Sequence, residues 1–533
     1  MLLEIQILVL LLVVVAAVAV LAKRLSIPPA ILLVLTGVAF ALVPGLPPVE
    51  LAPEVVLLLV LPPLIYSAAV DMSWREFRFN LRPITLLAIG CVAFTTAVIA
   101  AVAHWLLGLP WAVGFLLGAI VSPPDAVAPL AIARRLQVPR RVIVILEGEG
   151  LANDATALIL YRFAVAAVSV GHFSMSEAVG TFAAILVGEL VWGVGVGWIV
   201  LRLRHWVADP SIEITLSLLT PFLAYWPPQH VGGSGVLATV AAGLYVSWEG
   251  PRLIRAATRL QGIFFWRFFI YLTEGLVFLT TGLQARTLIS RIGLASLSEL
   301  LVSAAIIGAA VVVTRFIWIY PATYFPRLLI PSLRQRDPSP PWQLPFVLAF
   351  TGVRGIVSLA AALAIPFATA SGQQFPYRDS ILFLTFSVIL LTLVGQGLLL
   401  PFIIRALGLA HAGRRERHHD RAEEQLARRK AIETVIARLR ELARERGLSD
   451  EVVQPLHARH SARLRYIEHQ SGDGDHIRLA KAHDEIERLL IDAERQRINE
   501  LFRSGKLKDE ARRRIERELD LREAQLSNQS FEN

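Results

Sequence analysis

Long apolar stretches recur through the first 405 residues of this chain, and they restrict its fold more than any other feature. A bilayer core about 30 Å thick is crossed by about 20 apolar residues in an α-helix. Lipid offers no hydrogen bonds to the backbone, so only helices and closed barrels span it. The pattern predicts an all-α membrane protein with about thirteen transmembrane helices. The candidate spans are residues 2–22, 28–44, 51–70, 83–107, 111–134, 142–170, 177–201, 211–227, 233–249, 267–285, 297–325, 344–368 and 380–405.

Charged residues divide the chain into two parts. Residues 1–405 carry 25 Lys or Arg and 18 Asp or Glu, whereas residues 406–533 carry 27 and 25. The composition predicts a transmembrane domain over residues 1–408 and a cytoplasmic tail over residues 409–533. The excess of positive charge lies mainly in loops between spans, so we expect no nucleic-acid partner. Helical apolar spacing with opposite charges four residues apart predicts three to four amphipathic helices in the tail.

Basic residues in the loops predict the orientation of the protein in its bilayer. Cytoplasmic loops of membrane proteins are enriched in Lys and Arg. With the N-terminus outside, 18 basic residues fall in the inner loops and three in the outer loops. We therefore expect a multi-pass protein of the cell (inner) membrane with a cytoplasmic C-terminal tail. The first stretch has Glu4 near its start and Lys23-Arg24 after it, so we expect a first span there and not a cleaved signal peptide.

Two of the predicted spans contain sequences that break a helix. The fifth contains Ser122-Pro123-Pro124-Asp125, in which two prolines remove backbone donors. The twelfth contains Thr351-Gly-Val-Arg354-Gly355 near its middle. Such interrupted segments, in corresponding positions of two halves, point to the binding site of an inverted-repeat transporter. Spans one to six and eight to thirteen therefore predict two inverted six-helix repeats, with broken helices 5 and 12.

Ionisable side chains also lie within the apolar spans, where an Asp at a helix centre costs about 2.5–3.5 kcal/mol. Residues kept at that cost usually face a cavity or a partner and move ions or protons. Asp125 and Asp154 are the strongest candidates for this role. For Glu149 and Arg315 we favour a structural ion pair between two core helices, and for Glu274 we also favour a structural role.

At these residues the chain resembles the sodium/hydrogen exchanger family of monovalent cation:proton antiporters, in its bacterial form. Five stretches within about residues 1–405 match the motifs of that family in order and spacing. The run that ends in Asn153-Asp154 is the most specific of them, and the tail matches nothing specific. The five stretches are Leu61-Pro62-Pro63-Leu64, Ser122-Pro-Pro-Asp125-Ala-Val-Ala, Glu147-Gly-Glu149-Gly-Leu-Ala-Asn153-Asp154, Glu274-Gly-Leu-Val-Phe, and Gly352-Val-Arg354-Gly355 followed by Ser358-Leu.

The resemblance implies a core subdomain, a dimerisation subdomain, a homodimer and an elevator-like movement of the core. It implies that Asp154 is the main site for the cation and the proton, that Asp125 is the second acidic group, and that Asn153 orients the site. Glu149 would pair with Arg315. The accessory positions, in and around the broken helices, would be Pro123, Pro124, Arg354, Gly355, Ser67 and Glu274.

Three residues depart from the family pattern. Gly150 stands where the family motif has a serine, Ser67 where many bacterial members have a glutamate, and Pro124 where the family has a threonine. The first two changes remove or weaken oxygen ligands for a cation. Sodium is the expected ion, and potassium and lithium stay open.

Together these residues predict a secondary active transporter that exchanges a monovalent cation for protons. The cation and the proton would compete at Asp154 and Asp125 during alternating access. Neutral Asn153 beside Asp154 suggests an electroneutral exchange. The chain has no Gly-x-x-x-x-Gly-Lys-Ser/Thr loop for ATP, and we expect no cofactor and no enzyme activity.

Other functions stay open at this point. They are a potassium/proton antiporter, a cation channel without proton coupling, a membrane sensor that signals through its tail, and an intramembrane hydrolase with Asp125 and Asp154 as a catalytic dyad. The tail lacks a recognisable output module, and nothing besides the two aspartates supports hydrolysis.

Overall fold

The computed structural model describes residues 2–44, 52–170, 175–207, 209–292, 297–369, 372–470, 474–504 and 506–531. The chain forms two compact units, Met1–Arg414 and Arg415–Asn533. Within the described residues the regular secondary structure is helical, with a single isolated β-bridge between Ala368 and Gln374. The fold is all-α, as the sequence predicts.

The first unit contains the apolar helices. Its helices are α1 Leu2–Leu25, α2 Pro29–Ala41, α3 Leu61–Asp71, α4 Trp74–Phe79, α5 Leu81–Thr85, α6 Val92–Leu107, α7 Trp111–Val121, α8 Val127–Arg135, α9 Arg140–Val170, α10 Met175–Trp206, α11 Pro210–His230, α12 Val236–Leu253, α13 Ala256–Leu283, α14 Ala285–Ile292, α15 Leu297–Leu329, α16 Pro331–Arg336, α17 Gln343–Phe350, α18 Ile356–Leu363, α19 Arg378–Leu390 and α20 Gly397–Ala406. Among the described residues, π-helical segments at Val55–Val60, Leu86–Cys91 and Leu391–Gln396 continue into α-helices.

Seven helical stretches among the described residues are long and apolar enough to cross a membrane. Three shorter apolar helices accompany them, at Pro29–Ala41, Val55–Asp71 and Trp111–Val121. Outer faces of these helices expose large apolar side chains such as Val13, Phe264 and Phe402. A surface of that kind suits lipid. The structure is that of a membrane protein, while the count of thirteen spans and the inverted repeat stay predictions.

Small residues let several of these helices approach closely. A Cβ added at Gly37 of α2 would lie 2.3 Å from the carbonyl oxygen of Leu279 and 2.8 Å from Cα of Gly282, both on α13. Apolar side chains pack no better against each other than against lipid tails, so membrane helices associate through close contacts of this kind.

Two helices of the first unit are broken into pairs of half-helices. Helix α7 ends at Val121 and α8 begins at Val127, so the chain is irregular over residues 122–126. Helix α17 ends at Phe350 and α18 begins at Ile356, with an irregular stretch over residues 351–355. Both breaks lie at the sequences that predict them, the paired prolines and the paired glycines.

The second unit consists of helices with polar, exposed surfaces. The helices of the tail are α21 Leu409–Arg446, which begins in the first unit, then α22 Asp450–Gln470, α23 Gly474–Arg503 and α24 Asp509–Phe531. A small apolar cluster joins α21 to α22 through Ile432, Ile436 and Ile467. Arg495 on α23 pairs with Asp520 and Glu523 on α24, at 2.9 and 2.8 Å. The chain turns at Gly447, where φ is +60°. The sequence also predicts a break at Ser471-Gly-Asp-Gly-Asp475, of which residues 471–473 lie outside the described residues.

Candidate functional site

The two broken helices meet at their breaks. The backbone N–H of Asp125 donates to the carbonyl oxygen of Val353 at 2.7 Å, which ties one break directly to the other. Because each break interrupts the helical ladder, its backbone groups need partners from outside their own helix. The crossing supplies one of those partners and fixes where the Asp125 side chain lies.

The Asp125 carboxylate lies at the start of two half-helices. Its Oδ1 accepts a hydrogen bond from the N–H of Val127, the first residue of α8, at 2.9 Å. Its Oδ2 would lie only 1.6 Å from a Cβ added at Gly355, the residue before α18. Helix N-termini favour negative charge through their dipoles and free N–H groups. The absence of a side chain at Gly355 is therefore what lets the carboxylate reach the second helix start.

Helix α9 carries Asn153 and Asp154 past the first break. The Asn153 side chain is fully buried, and its Nδ2 donates to the carbonyl oxygen of Pro124 at 2.6 Å. Its Oδ1 has no hydrogen-bond partner among the described residues, although it is buried. Asp154 is partly accessible and lies close enough to Asp125 to interact with it electrostatically. The site thus presents two carboxylates and one unsatisfied amide oxygen.

Arg354 binds the end of the opposite half-helix. Its Nε donates to the carbonyl oxygen of Val121 at 2.8 Å, and its Nη2 to that of Ser122 at 3.2 Å. These carbonyls belong to the C-terminal end of α7, where a cation is stabilised by the helix dipole. The Nη1 group donates to the Gly352 carbonyl, and the Arg354 backbone N–H donates to Oγ1 of Thr392 at 3.0 Å. The Arg354 guanidinium thus contacts carbonyls of both breaks.

Glu149 and Arg315 form a buried ion pair between α9 and α15. Two hydrogen bonds join them, from Nη1 to Oε1 at 2.5 Å and from Nη2 to Oε2 at 2.7 Å. Each side chain is 2% exposed. The Nε of Arg315 also donates to the carbonyl oxygen of Leu348, near the end of α17, at 3.1 Å. Each half-helix that ends at a break therefore has a buried arginine at its carbonyls, Arg354 for α7 and Arg315 for α17.

The accessory residues around the crossing of the two breaks differ in how far they are buried. Glu274 on α13 is partly accessible and close enough to Asp125 for an electrostatic interaction. Ser67 on α3 is partly accessible, and its side chain makes no hydrogen bond that the structure describes to the acidic residues. A Cβ added at Gly150 would meet Cβ of Ala126 at 3.0 Å, so α9 passes close to the first break. Pro123 and Pro124 are both buried within that break.

Two residues of the first unit, Glu189 and Thr392, make structural contacts that the sequence analysis does not predict. Glu189 on α10 is buried and accepts hydrogen bonds from the backbone N–H groups of Ser234, Gly235 and Leu237, which anchors the start of α12. The hydroxyl oxygen of Thr392 accepts a hydrogen bond from the backbone N–H of Arg354, in the second break. A charge inside an apolar run marks Glu189 in the same way as it marks Asp154, whereas Thr392 carries no comparable signal.

The atoms at the crossing that could bind a cation are all oxygen atoms. No group of three or more His, Cys, Asp or Glu side chains within the described ranges is arranged to hold a metal ion. Two carboxylates, an amide oxygen and carbonyls at broken helices suit a hard monovalent cation that is carried through and released, with water completing its shell.

A family model described as sodium/hydrogen exchanger, transmembrane, matches residues 9–406. An uncharacterised Na⁺/H⁺ exchanger of Mycobacterium tuberculosis is 34% identical over 518 residues, covering 95% of this chain and 93% of the relative. A sodium, potassium, lithium and rubidium/H⁺ antiporter of Bacillus pumilus is 33% identical over 389 residues, covering 71% of this chain and 58% of the relative.

A solved structure has the same fold. The sodium proton antiporter MjNhaP1 of Methanocaldococcus jannaschii at pH 8 superposes with a TM-score of 0.60 at 19% identity, covering 77% of this chain and 98% of that one. At this level of identity the likeness bears on the fold alone.

Proposed function

The chain belongs to the sodium/hydrogen exchanger family, and from that premise we propose that it exchanges a monovalent cation for protons at the crossing of its two broken helices. A member of this family is a multi-pass membrane transporter and not an enzyme. Sodium is the proposed cation. The proposed transport uses no cofactor, and the cation and the proton are its substrates.

One observation carries the proposal most directly. Asn153 donates through Nδ2 to the Pro124 carbonyl, leaving its buried Oδ1 without a described partner beside Asp154 and Asp125. A buried oxygen left unsatisfied costs about 1–3 kcal/mol. A cation bound between the carboxylates would satisfy that oxygen. This supports Asp154 and Asp125 as ligands and Asn153 as a third ligand that also orients the site.

Competition for the same carboxylates accounts for the coupling. A cation and a proton both neutralise Asp154, and they cannot do so together. The core then crosses the membrane in a neutralised form with either substrate, because moving an unpaired charge through lipid is costly. Arg354 and the Glu149–Arg315 pair hold the ends of α7 and α17 in place around the site. With one proton exchanged for one cation, no net charge moves.

The assembly and orientation extend the same proposal. Residues 1–408 form the transporter, with a core and a dimerisation subdomain, and residues 409–533 form the tail. The protein lies in the cell membrane as a homodimer, with the N-terminus outside and the tail in the cytoplasm. The core moves in an elevator-like manner to give alternating access.

Dye-monitored proton exchange in proteoliposomes tests the function. Addition of sodium to vesicles loaded with acid should dissipate the pH difference, and Asp154→Asn should abolish this response. Glu147→Gln, two turns earlier on α9 and outside the site, is the matched control and should retain it. Exchange that survives Asp154→Asn would sink the assignment of the site, and exchange that an imposed membrane potential drives would sink the one-for-one stoichiometry.

A broader cation preference is the second candidate. Gly150 and Ser67 supply no carboxylate and, at Gly150, no hydroxyl, so the site has fewer oxygen ligands than the family pattern. The Bacillus pumilus relative is named for sodium, potassium, lithium and rubidium. The same vesicles, tested with each chloride salt in turn, decide between sodium preference and exchange of several cations. Current without proton movement would identify a channel.

A further inference from the structure

A cleft outside the proposed transport site lies at one end of the helices of the first unit. It lies between α5, α9, α15 and α17 and the loop before α17. Its walls are mostly apolar and include Leu86, Leu87, Ile145, Ile319, Leu344 and Leu348. Three arginines, Arg82, Arg141 and Arg327, also line it.

The charges of this cleft are not balanced. Arg141 donates to the two carboxylate oxygens of Asp337 at 2.7 and 3.0 Å. Arg327 donates to the same carboxylate at 2.5 Å and to the Asp337 carbonyl at 3.1 Å. Arg82 joins neither pair, and its Nη1 is buried without a hydrogen-bond partner among the described residues. One carboxylate thus pairs with two of the three guanidinium groups, and an unused donor of Arg82 is left beside an apolar wall.

We propose that this cleft binds an anionic phospholipid, with the headgroup phosphate at Arg82 and the acyl chains along the apolar wall. A phosphate oxygen is a strong acceptor for guanidinium N–H groups. Inorganic phosphate would meet Arg82 but leave the apolar wall empty, and a neutral lipid would leave the charge unbalanced. The distribution of basic residues in the sequence predicts that these three arginines face the cytoplasmic leaflet, where anionic lipids attract basic side chains.

The position of the cleft links lipid binding to the centre of the protein. Ile145 lies four residues before Glu149 on α9, and Ile319 lies four residues after Arg315 on α15, so each is one helical turn from the buried ion pair. The side chain of Leu348 lines the cleft, and its carbonyl accepts from Arg315. An occupied cleft would therefore bridge the helices that hold the ion pair and stabilise them together.

A lipid titration of the purified full-length protein in neutral detergent tests the inference without any transport assay. The apparent Tm is followed as phosphatidylglycerol, phosphatidylcholine or inorganic phosphate is added. Phosphatidylglycerol should raise the Tm in a saturable manner, and the other two should not. A rise with inorganic phosphate alone would show a free-anion site, and an equal rise with phosphatidylcholine would show unspecific lipid packing; either result overturns the proposal.

Single substitutions test whether the stabilisation by phosphatidylglycerol arises at this cleft. Arg82→Gln should raise the half-saturating phosphatidylglycerol concentration at least about tenfold, the loss expected when a hydrogen bond to a charged group is removed. Arg78→Gln removes the same charge from exposed Arg78 of α4, four residues away, and should leave the titration unchanged. Ala322→Phe keeps every charge but fills the wall, and should abolish the stabilisation. If Arg82→Gln does not fold, Ala322→Phe decides: a wild-type titration in that variant overturns the proposal.

Discussion

The buried pair of Glu149 and Arg315 allows the sharpest prediction about stability. Glu149→Gln removes the negative charge and keeps the shape of the side chain. Arg315 is then left 2% exposed with no counter-charge, and Arg354 lies close enough to repel it electrostatically. Two unit charges about 4 Å apart interact by about 4 kcal/mol at an effective dielectric constant of about 20. Removing one partner of a buried pair costs about 3–5 kcal/mol in proteins.

The two partners of the ion pair differ in how much their removal should cost. Arg315→Gln leaves Glu149 buried but still within the field of Arg354, which attracts it. We therefore expect Glu149→Gln to lower the free energy of unfolding by about 3–5 kcal/mol and Arg315→Gln to lower it by less. The double variant Glu149→Leu/Arg315→Met should recover much of the loss, because apolar residues of similar volume often replace such a pair without cost.

Denaturant titrations in mixed micelles, followed by tryptophan fluorescence, measure these differences. The matched control is Glu147→Gln, the same substitution two residues away. Glu147 pairs with Arg134 at 2.7 Å, but the Arg134 side chain is 60% exposed. Such a pair contributes about 0–1 kcal/mol. If Glu149→Gln lowers the free energy of unfolding no more than Glu147→Gln does, the buried ion pair does not stabilise the core.

Three further predictions concern other parts of the first unit. Gly355→Ala should abolish exchange in vesicles, because its Cβ would lie 1.6 Å from the Asp125 carboxylate; exchange at the wild-type rate would contradict the placement of that side chain. Burial acts to raise the pKa of Asp337, but Arg141 and Arg327 outweigh it and hold the pKa below its usual value. The stabilisation from Asp337 is then present at neutral pH and lost on acidification below about pH 4, so unfolding curves of Asp337→Asn should lack that acid step. Glu189→Ala should lower the apparent Tm in a thermal-shift assay, since three backbone N–H groups at the start of α12 lose their acceptor, and an unchanged Tm would refute the anchoring role.

The sequence predicts the helical class and both helix breaks, because each follows from local chemistry. Apolar length identifies membrane helices, and Pro123-Pro124 and the glycines around Arg354 interrupt them where the structure does. The π-helical segments that the structure describes, such as Leu86–Cys91, have no such signal. Their extra residue per turn depends on how neighbouring helices pack, which is a property of the assembled fold.

The site is predictable only in its composition. The cost of a buried charge marks Asp125, Asp154, Glu149 and Arg315 one by one. It does not show that Arg354 donates to the carbonyls of α7. Nor does it show that Asn153 donates through Nδ2 to the Pro124 carbonyl, with its Oδ1 left without a partner among the described residues. Those contacts join segments far apart in the chain, and only the crossing of the two breaks brings them together.

Proton release on sodium binding is the most direct test of the central claim that cation and proton compete at Asp154. Purified protein in a weakly buffered solution with a pH-sensitive dye is titrated with sodium chloride, with choline chloride as the ionic-strength control. If cation and proton compete at Asp154, about one proton is released per sodium bound, and Asp154→Asn releases none. Saturable sodium binding without proton release, or undiminished release from Asp154→Asn, would contradict it.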